Sequence, residues 1–317
     1  MKKLNFDIFK RTVVMAFIAT IGLTSCKDKD DDVVVKDKTI AEIVVANNDF
    51  SLLRAALVQA DLDDVLNGKG TFTVFAPNNA AFVAAGLDTE AKIKALPVAT
   101  LKNILLYHVL GTKVASSAIA TASNTPVETL AASNIFVTKN NAGVFVNGAS
   151  VLQADVMATN GVVHVINTVL MPATGNIVEA AQGNPNFSFL VAAVLRASQG
   201  STNVAQVLSG NGPLTVFAPT NQAFMNAGFA NIAAIQNADP ATLTSILTYH
   251  VVSGRIFSSD LTEGAKPATL NTATLTISLN GGAKVKGNGN PTAANITQAN
   301  LLTSNGVIHV VDKVLLP

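Results

Sequence analysis

The sequence predicts an α+β protein of two tandem domains, each opening on helices and closing on β-strands. A repeat is the first observation behind this. Thr73-Val74-Phe75-Ala76-Pro77-Asn78-Asn79-Ala80-Ala81-Phe82 returns as Thr215-Val216-Phe217-Ala218-Pro219-Thr220-Asn221-Gln222-Ala223-Phe224, an offset of 142 positions, and Ile104-Leu105-Leu106-Tyr107-His108-Val109 returns at the same offset as Ile246-Leu247-Thr248-Tyr249-His250-Val251. Asn160-Gly161-Val162-Val163-His164-Val165-Ile166 returns as Asn305-Gly306-Val307-Ile308-His309-Val310-Val311, and both copies end on proline, Pro172 and Pro317. A period this long marks whole domains, since solenoid units run to roughly 20 to 50 residues. Length is the second observation: 317 residues divide naturally into two domains of about 100 to 200 residues each. The third is a change of hydrophobic period inside each copy, from helical spacing to alternation. The boundaries fall at 38–172 and 176–317, with a short linker at Ala173-Thr174-Gly175.

In chain order, Thr39-x-x-Glu42 is a capping box ahead of Ile43 and Val44, and Phe50, Leu53, Leu57 and Ala60 recur at helical spacing. Gly68 ends a short helix. Phe72 to Phe75 alternates as a strand, Pro77 stops it, and Asn78 or Thr220 caps the next helix. Asp239-Pro240 pairs an N-cap with proline at the first helical position. Leu243, Ile246, Leu247 and His250 then share one face, as do Leu101, Ile104, Leu105 and His108. Ile135-Phe136-Val137 and Val144-Phe145-Val146 flank a turn at Asn140 to Gly143, Leu275 to Leu279 precedes Asn280-Gly281-Gly282, and Asn160-Gly161 turns into Val162 to Ile166. Helices followed by many strands indicate an antiparallel core.

The Thr-Val-Phe-Ala-Pro box, the Tyr-His pair and the terminal Asn-Gly-Val-(Val/Ile)-His-Val box, in this order and in two copies, resemble the fasciclin-type domain of secreted and anchored adhesion proteins. The resemblance covers nearly everything after Lys38. It implies two tandem fasciclin-like domains, each a wedge or sandwich of two β-sheets with several accompanying helices. It also implies a general role in adhesion or matrix contact.

Composition narrows the function. A formal charge of +1 is far from the basic balance that a phosphate backbone demands, so nucleic acid is not an expected partner. With 49% hydrophobic and 13% charged residues and a mean hydropathy of +0.40, the chain is too apolar for general disorder. One cysteine leaves no disulfide framework and no Cys-rich zinc site. No tryptophan and two tyrosines leave few flat rings for stacking on sugars.

The amino terminus reads as an address. Lys2, Lys3, Lys10 and Arg11 precede an apolar run from Val13 to Leu23, about 11 residues where a membrane span needs roughly 20. Residues 1–25 are therefore expected to be a signal peptide. Leu23-Thr24-Ser25-Cys26 resembles the bacterial lipobox, which implies that Cys26 becomes an acylated first residue, with palmitate-type chains holding the protein to the membrane. Residues 26–37, rich in Lys and Asp, form a solvated tether. The Cys-Lys-Asp start is similar to an export signal of surface lipoproteins in one group of Gram-negative bacteria. An outer-membrane lipoprotein exposed on the cell surface is the expectation, with a periplasm-facing one as the alternative.

Chemistry-bearing residues are few. His108, His164, His250 and His309 sit at matched places, two per domain, but no His-x-x-x-His spacing or acidic cluster completes a zinc site, so no metal and no cofactor is expected. His164 and His309, inside alternating apolar strands, read as structural core histidines. Tyr107, His108, Tyr249 and His250 are the candidate partner-binding residues. In animal members of the resembled family, a Tyr-His pair with branched apolar flanks is linked to integrin contact, while the apolar stripe ending in His is what a helix packed on a sheet should look like, which favours burial over a partner-facing epitope. No Gly-x-Ser-x-Gly elbow or triad spacing appears, so no enzyme is expected. Asp61, Asp63 and Asp64 lack the glycine and glutamate of a calcium loop and read as the start of a short helix. The function expected is non-catalytic binding of a protein or matrix ligand; the alternative is glycan or nutrient binding in the envelope.

Overall fold

The computed structural model describes residues 38–68 and 70–317; the leader, Cys26 and the tether lie outside the described residues. The first domain opens with helices α1 (Ile40–Ala46), α2 (Ser51–Ala60) and α3 (Asp63–Asn67). Thr39 caps α1 with its hydroxyl on Glu42 N–H while the Glu42 carboxylate accepts Thr39 N–H, the reciprocal bonding expected of the capping box. Asp63 and Asp64 stand in the first turn of α3, where its dipole favours negative charge. Strand β1 (Phe72–Pro77) follows, then α4 (Asn79–Ala84) capped by Asn78, α5 (Glu90–Lys94), and α6 (Val98–Tyr107), which ends with His108 at its C-cap. Strands β2 (Val109–Leu110), β3 (Ala122–Glu128), β4 (Asn134–Asn140), β5 (Gly143–Val146), β6 (Ala149–Ala158) and β7 (Gly161–Ile166) complete the domain.

The second domain repeats the plan with α7 (Ile177–Gln182), α8 (Ser188–Ala197), α9 (Val204–Ser209), β8 (Leu214–Pro219), α10 (Asn221–Asn226), α11 (Ile232–Gln236) and α12 (Pro240–Tyr249). It closes on β9 (Val251–Ser253), β10 (Thr276–Ser278), β11 (Lys284–Lys286), β12 (Ala294–Thr303) and β13 (Gly306–Val311). No helix among the described residues is long and apolar enough to cross a membrane.

Each domain carries one curled sheet, in the order β2-β1-β7-β6-β5-β4-β3 and then β10-β11-β12-β13-β8-β9. The curl sits in the long strands. Ala149 and Ser150 pair with β5 whereas the rest of β6 pairs with β7, and Ala294 and Asn295 pair with β11 whereas the rest of β12 pairs with β13. The two halves of the sheet therefore face each other as the wedge that the resemblance implies. Alternation along β1 splits the core accordingly. Val74 and Ala76 pack against the helices with Leu53, Leu57 and Leu105, while Phe75 turns the other way into a second core with Tyr107, Ile135, Val146 and Ile166.

The expectation of an antiparallel core is corrected at the centre of each sheet. Strand β1 pairs with β7 in parallel, Phe72 opposite Gly161, and β8 pairs with β13 in parallel, Leu214 opposite Gly306. Apolar alternation is the same in either orientation, so the pattern carried no information on this point. Glycine permits the close approach: a Cβ on Gly161 would lie 2.1 Å from Phe72 O, and one on Gly306 2.0 Å from Leu214 O.

The domains also meet through side chains. Asn124 Nδ2 donates to Arg255 O at 2.7 Å and to Asp260 Oδ2 at 3.1 Å, and Thr138 Oγ1 donates to Asp260 Oδ1 at 3.2 Å. The Arg255 guanidinium lies 3.9 Å from the centre of the Phe136 ring, which also approaches Phe257.

Candidate functional site

The Tyr-His pairs end α6 and α12, where the chain leaves a helix and enters the strand beside β1 or β8. They lie in the interior: Tyr107, His108, Tyr249 and His250 are each at most 2% exposed. The candidate contact with a partner through these rings is corrected on that ground, because no ring surface remains for a partner to touch. The reason is bonding as well as packing. A carbonyl only accepts, so His108 Nδ1, 2.8 Å from Ile104 O, must donate; Nε2 is then the acceptor for Leu170 N–H at 2.9 Å. His250 does the same with Ile246 O at 2.8 Å and Leu315 N–H at 2.8 Å. Each imidazole thus ties its helix to the final segment of its domain. Burial pushes both down to about 4, since charging the ring in the interior forfeits its hydration, which the hydrogen bond to the Ile104 or Ile246 carbonyl offsets only in part.

The tyrosines close the same joint from the wedge side. Tyr107 OH donates to Asn134 O at 2.8 Å and accepts from Asn147 Nδ2 at 3.0 Å. Burial raises it to about 12. Tyr249 OH donates to Thr274 O at 2.7 Å and accepts Asn288 N–H at 2.9 Å. One phenol per domain therefore fastens the helix end to the far half of the sheet.

His164 and His309 stand at the centres of β7 and β13, buried and stacked on Phe75 and Phe217 at 5.5 and 5.6 Å. Their Nε2 atoms lie 2.9 Å from Val114 O and 2.8 Å from Ile256 O and must donate. Their Nδ1 atoms face Asp155 N and Asn300 N at 3.2 and 3.4 Å. Those partners are bulge residues with left-handed backbone, φ 59 and 65, at which β6 and β12 slip register. Asp155 also accepts Ser116 N–H at 2.8 Å and the Ser116 hydroxyl, and these bonds hold its carboxyl below the usual carboxylate value. No group of three or more potential metal ligands occurs among the described residues.

Reading the sequence missed two groups. Asn160 and Asn305 were visible only as turn residues. Each spans the domain: Asn160 accepts Ile40 N–H at 2.9 Å and donates to Leu66 O at 2.6 Å, and Asn305 accepts Ile177 N–H at 3.0 Å and donates to Leu208 O at 2.9 Å. Their repetition in matched boxes was the signal available. The joint residues Asn124, Arg255 and Asp260 occur once each and gave none.

A model of the Fasciclin domain matches this chain twice, over residues 48–172 and 185–317. Transforming growth factor-beta-induced protein ig-h3 of Sus scrofa is 29% identical over 259 residues, 80% of this chain but 35% of that protein, so the chain spans about a third of that relative's length. Protein sll1483 of Synechocystis is 40% identical over 156 residues, 48% of this chain and 79% of that protein. Among solved structures, a FAS1 domain pair from the insect cell adhesion molecule Fasciclin I aligns with a TM-score of 0.42 and 20% identity, covering 84% of this chain and 96% of that one. With both halves matched by the family model and the three boxes in place in each, the chain belongs to the fasciclin domain family.

Proposed function

We propose that this protein is a lipid-anchored adhesion or interaction protein that binds other proteins or matrix and carries out no catalysis. The observation that carries the reading is the tandem fasciclin pair preceded in sequence by Leu23-Thr24-Ser25-Cys26, which resembles a lipobox, and by a Lys- and Asp-rich stretch. Supporting it, every imidazole spends both ring nitrogens on backbone groups, so none is available as an acid or base. Lipid on Cys26 holds the chain to the outer membrane, and residues 27–37 carry the domain pair away from the bilayer, facing outward. Because the Tyr-His rings are buried, the contact surface lies elsewhere on the domains.

The test has two arms. Cys26→Ala should move the protein out of the membrane fraction and abolish labelling by a lipid probe, and protease added to intact cells should degrade the wild-type protein; retention of both membrane association and label in the variant sinks the anchor. A fragment from Val33 to Pro317 should bind saturably to immobilised matrix proteins or cell surfaces. Binding confined to polysaccharide would instead favour the glycan-handling alternative, which the absence of tryptophan and the burial of both tyrosines disfavour.

A further inference from the structure

A cavity of about 90 Å³ opens between α7, α8 and α9 of the second domain, with Val216 of β8 and Ile308 of β13 among its lining residues. Its wall is almost wholly aliphatic. The polar side chains on it are Gln182, exposed at the mouth, and His250, whose two nitrogens are already engaged.

The matched helix caps, Thr39 and Asn176, and the matched carbonyls of Leu66 and Leu208, held by Asn160 and Asn305, fix which residues of the two copies correspond around the cavity. Ala181 stands where the first domain has Val44, and Val194 where it has Leu57, so two core side chains are cut back. The exposed charges Arg54 and Asp63 of the first domain become Val191 and Ala205, both on the cavity wall. Val58 becomes Leu195, which lines the cavity while 56% exposed. At these positions the second domain therefore carries smaller core side chains and no charge, around a cavity whose lining is aliphatic apart from Gln182 and His250. Interiors are close-packed and voids are costly, so an empty apolar cavity with an apolar mouth is ready to be filled by an apolar group.

Size and charge select the occupant. Small-molecule pockets run to roughly 300 Å³ and more, so this one takes a single side-chain-sized group and no whole metabolite or sugar. The uncharged rim offers no counter-charge to a carboxylate or phosphate headgroup. We propose that the cavity is the socket for one branched aliphatic side chain, leucine or isoleucine, protruding from a protein partner as the buried anchor of the contact. The proposal rests on the adhesion reading above and names the surface that performs it.

The experiment follows methyl resonances of the Val33 to Pro317 fragment, which contains the whole compact unit Asp37–Pro317. The probes are N-acetyl-leucinamide, N-acetyl-alaninamide and 1-hexanol. Saturable shifts at Val194, Leu195 and Ile308 are expected with the leucine amide, at least tenfold weaker with the alanine amide, and lost in Ala181→Val/Val194→Leu, which restores the side chains of the first domain. Should that variant unfold at lower urea, Ala205→Asp at the mouth supplies the same comparison with the core untouched. Absence of saturable shifts with the leucine amide makes the feature a packing void only and overturns the proposal; saturation by 1-hexanol without the leucine amide overturns it in favour of a hydrocarbon tail. Ligand binding by the filled variant at wild-type strength overturns the socket while leaving adhesion intact, whereas failure of the wild-type fragment to bind any protein or matrix surface sinks adhesion whatever the probes report.

Discussion

Acidification should destabilise this protein through its helix-end histidines before the depressed carboxylates Asp88, Asp155 and Asp239 take part. His108 and His250 titrate at about 4 in the folded chain against 6.5 when free. Above pH 6.5 neither the folded nor the unfolded state holds the proton, and the full stability is present. As pH falls below 6.5 the unfolded chain is protonated and the folded chain is not, so stability is lost down to about pH 4 and then levels off. At about 1.4 kcal/mol per pKa unit, the loss from pH 7 to pH 5 is about 2 kcal/mol per domain. His309 is also depressed by burial and adds to the loss in the second domain in the same direction. Asp88, Asp155 and Asp239 are held below 3.8, and their contribution is lost only as pH falls below that value, so it is still in place at pH 5. The assay is urea unfolding followed by circular dichroism at pH 7, 6 and 5, with hydrogen exchange resolving the two domains. His108→Gln/His250→Gln removes these titrating groups; its stability is lower at pH 7 through lost packing and bonding, and the readout is the difference between pH 7 and pH 5, which that loss leaves unchanged. A pH-dependent loss as large in that variant as in the wild type would refute the assignment of neutral imidazoles to these sites.

Three further outcomes follow from the same bonding. Asn160→Ala strips Ile40 N–H and Leu66 O of their partner inside the first domain and should cost about 2 to 5 kcal/mol, read as a fall in the urea midpoint confined to that domain; Asn305→Ala should do the same in the second. Gly306→Ala drives a Cβ into Leu214 O across the parallel pair and should abolish the native circular dichroism of the second domain, whereas alanine at Gly228, where nothing lies within 4 Å of a Cβ, should leave the fold intact at a small cost for its positive φ. Asn124→Ala/Thr138→Val removes three hydrogen bonds to the loop that holds Arg255 and Asp260; small-angle scattering should report a broader distribution of interdomain distances with each domain's exchange protection unchanged, and an unaltered profile would deny those bonds a role in holding the joint.

The sequence made legible whatever is both local and repeated. Capping at Thr39, Asn78, Thr220 and Asp239 could be read because a side chain two or three residues from its target needs no tertiary information. The β4–β5 hairpin was equally local. Strands β6 and β12 went unread for a physical reason: the bulges at Asp155 and Asn300 shift the side-chain alternation midway, so neither half looks like a full strand. Strand β3 was hidden by Pro126, tolerable there because β3 lies at the edge of its sheet. For the Tyr-His pairs, helical spacing placed the rings on the apolar face, but burial against exposure depends on the last residues of each domain folding over them through Leu170 and Leu315, contacts 62 and 65 residues away.

The places where the two copies differ carry the rest of the argument. A duplicated domain starts with identical surfaces, and positions that serve the fold keep the same residue or role in both: the Asn that spans each domain, the Tyr and His that close the helix end, the Gly at the parallel crossing. Divergence at an interior or half-buried position therefore reports what one copy meets and the other does not. The loop of the second domain that docks on the first carries Arg255, Phe257 and Asp260, and the matching positions of the first domain are Lys113, Ala115 and Ala118. Each of the three is larger or adds bonding capacity, and each touches the first domain, Arg255 and Phe257 on Phe136 and Asp260 through Asn124 and Thr138. The copies differ at the cavity too, where Ala181, Val191, Val194 and Ala205 depart from Val44, Arg54, Leu57 and Asp63, and among the described residues the lining comes from the second domain alone. One cluster of differences adds size and bonding where the second domain meets the first; the other removes size and charge around the cavity, and the socket proposed above would account for it.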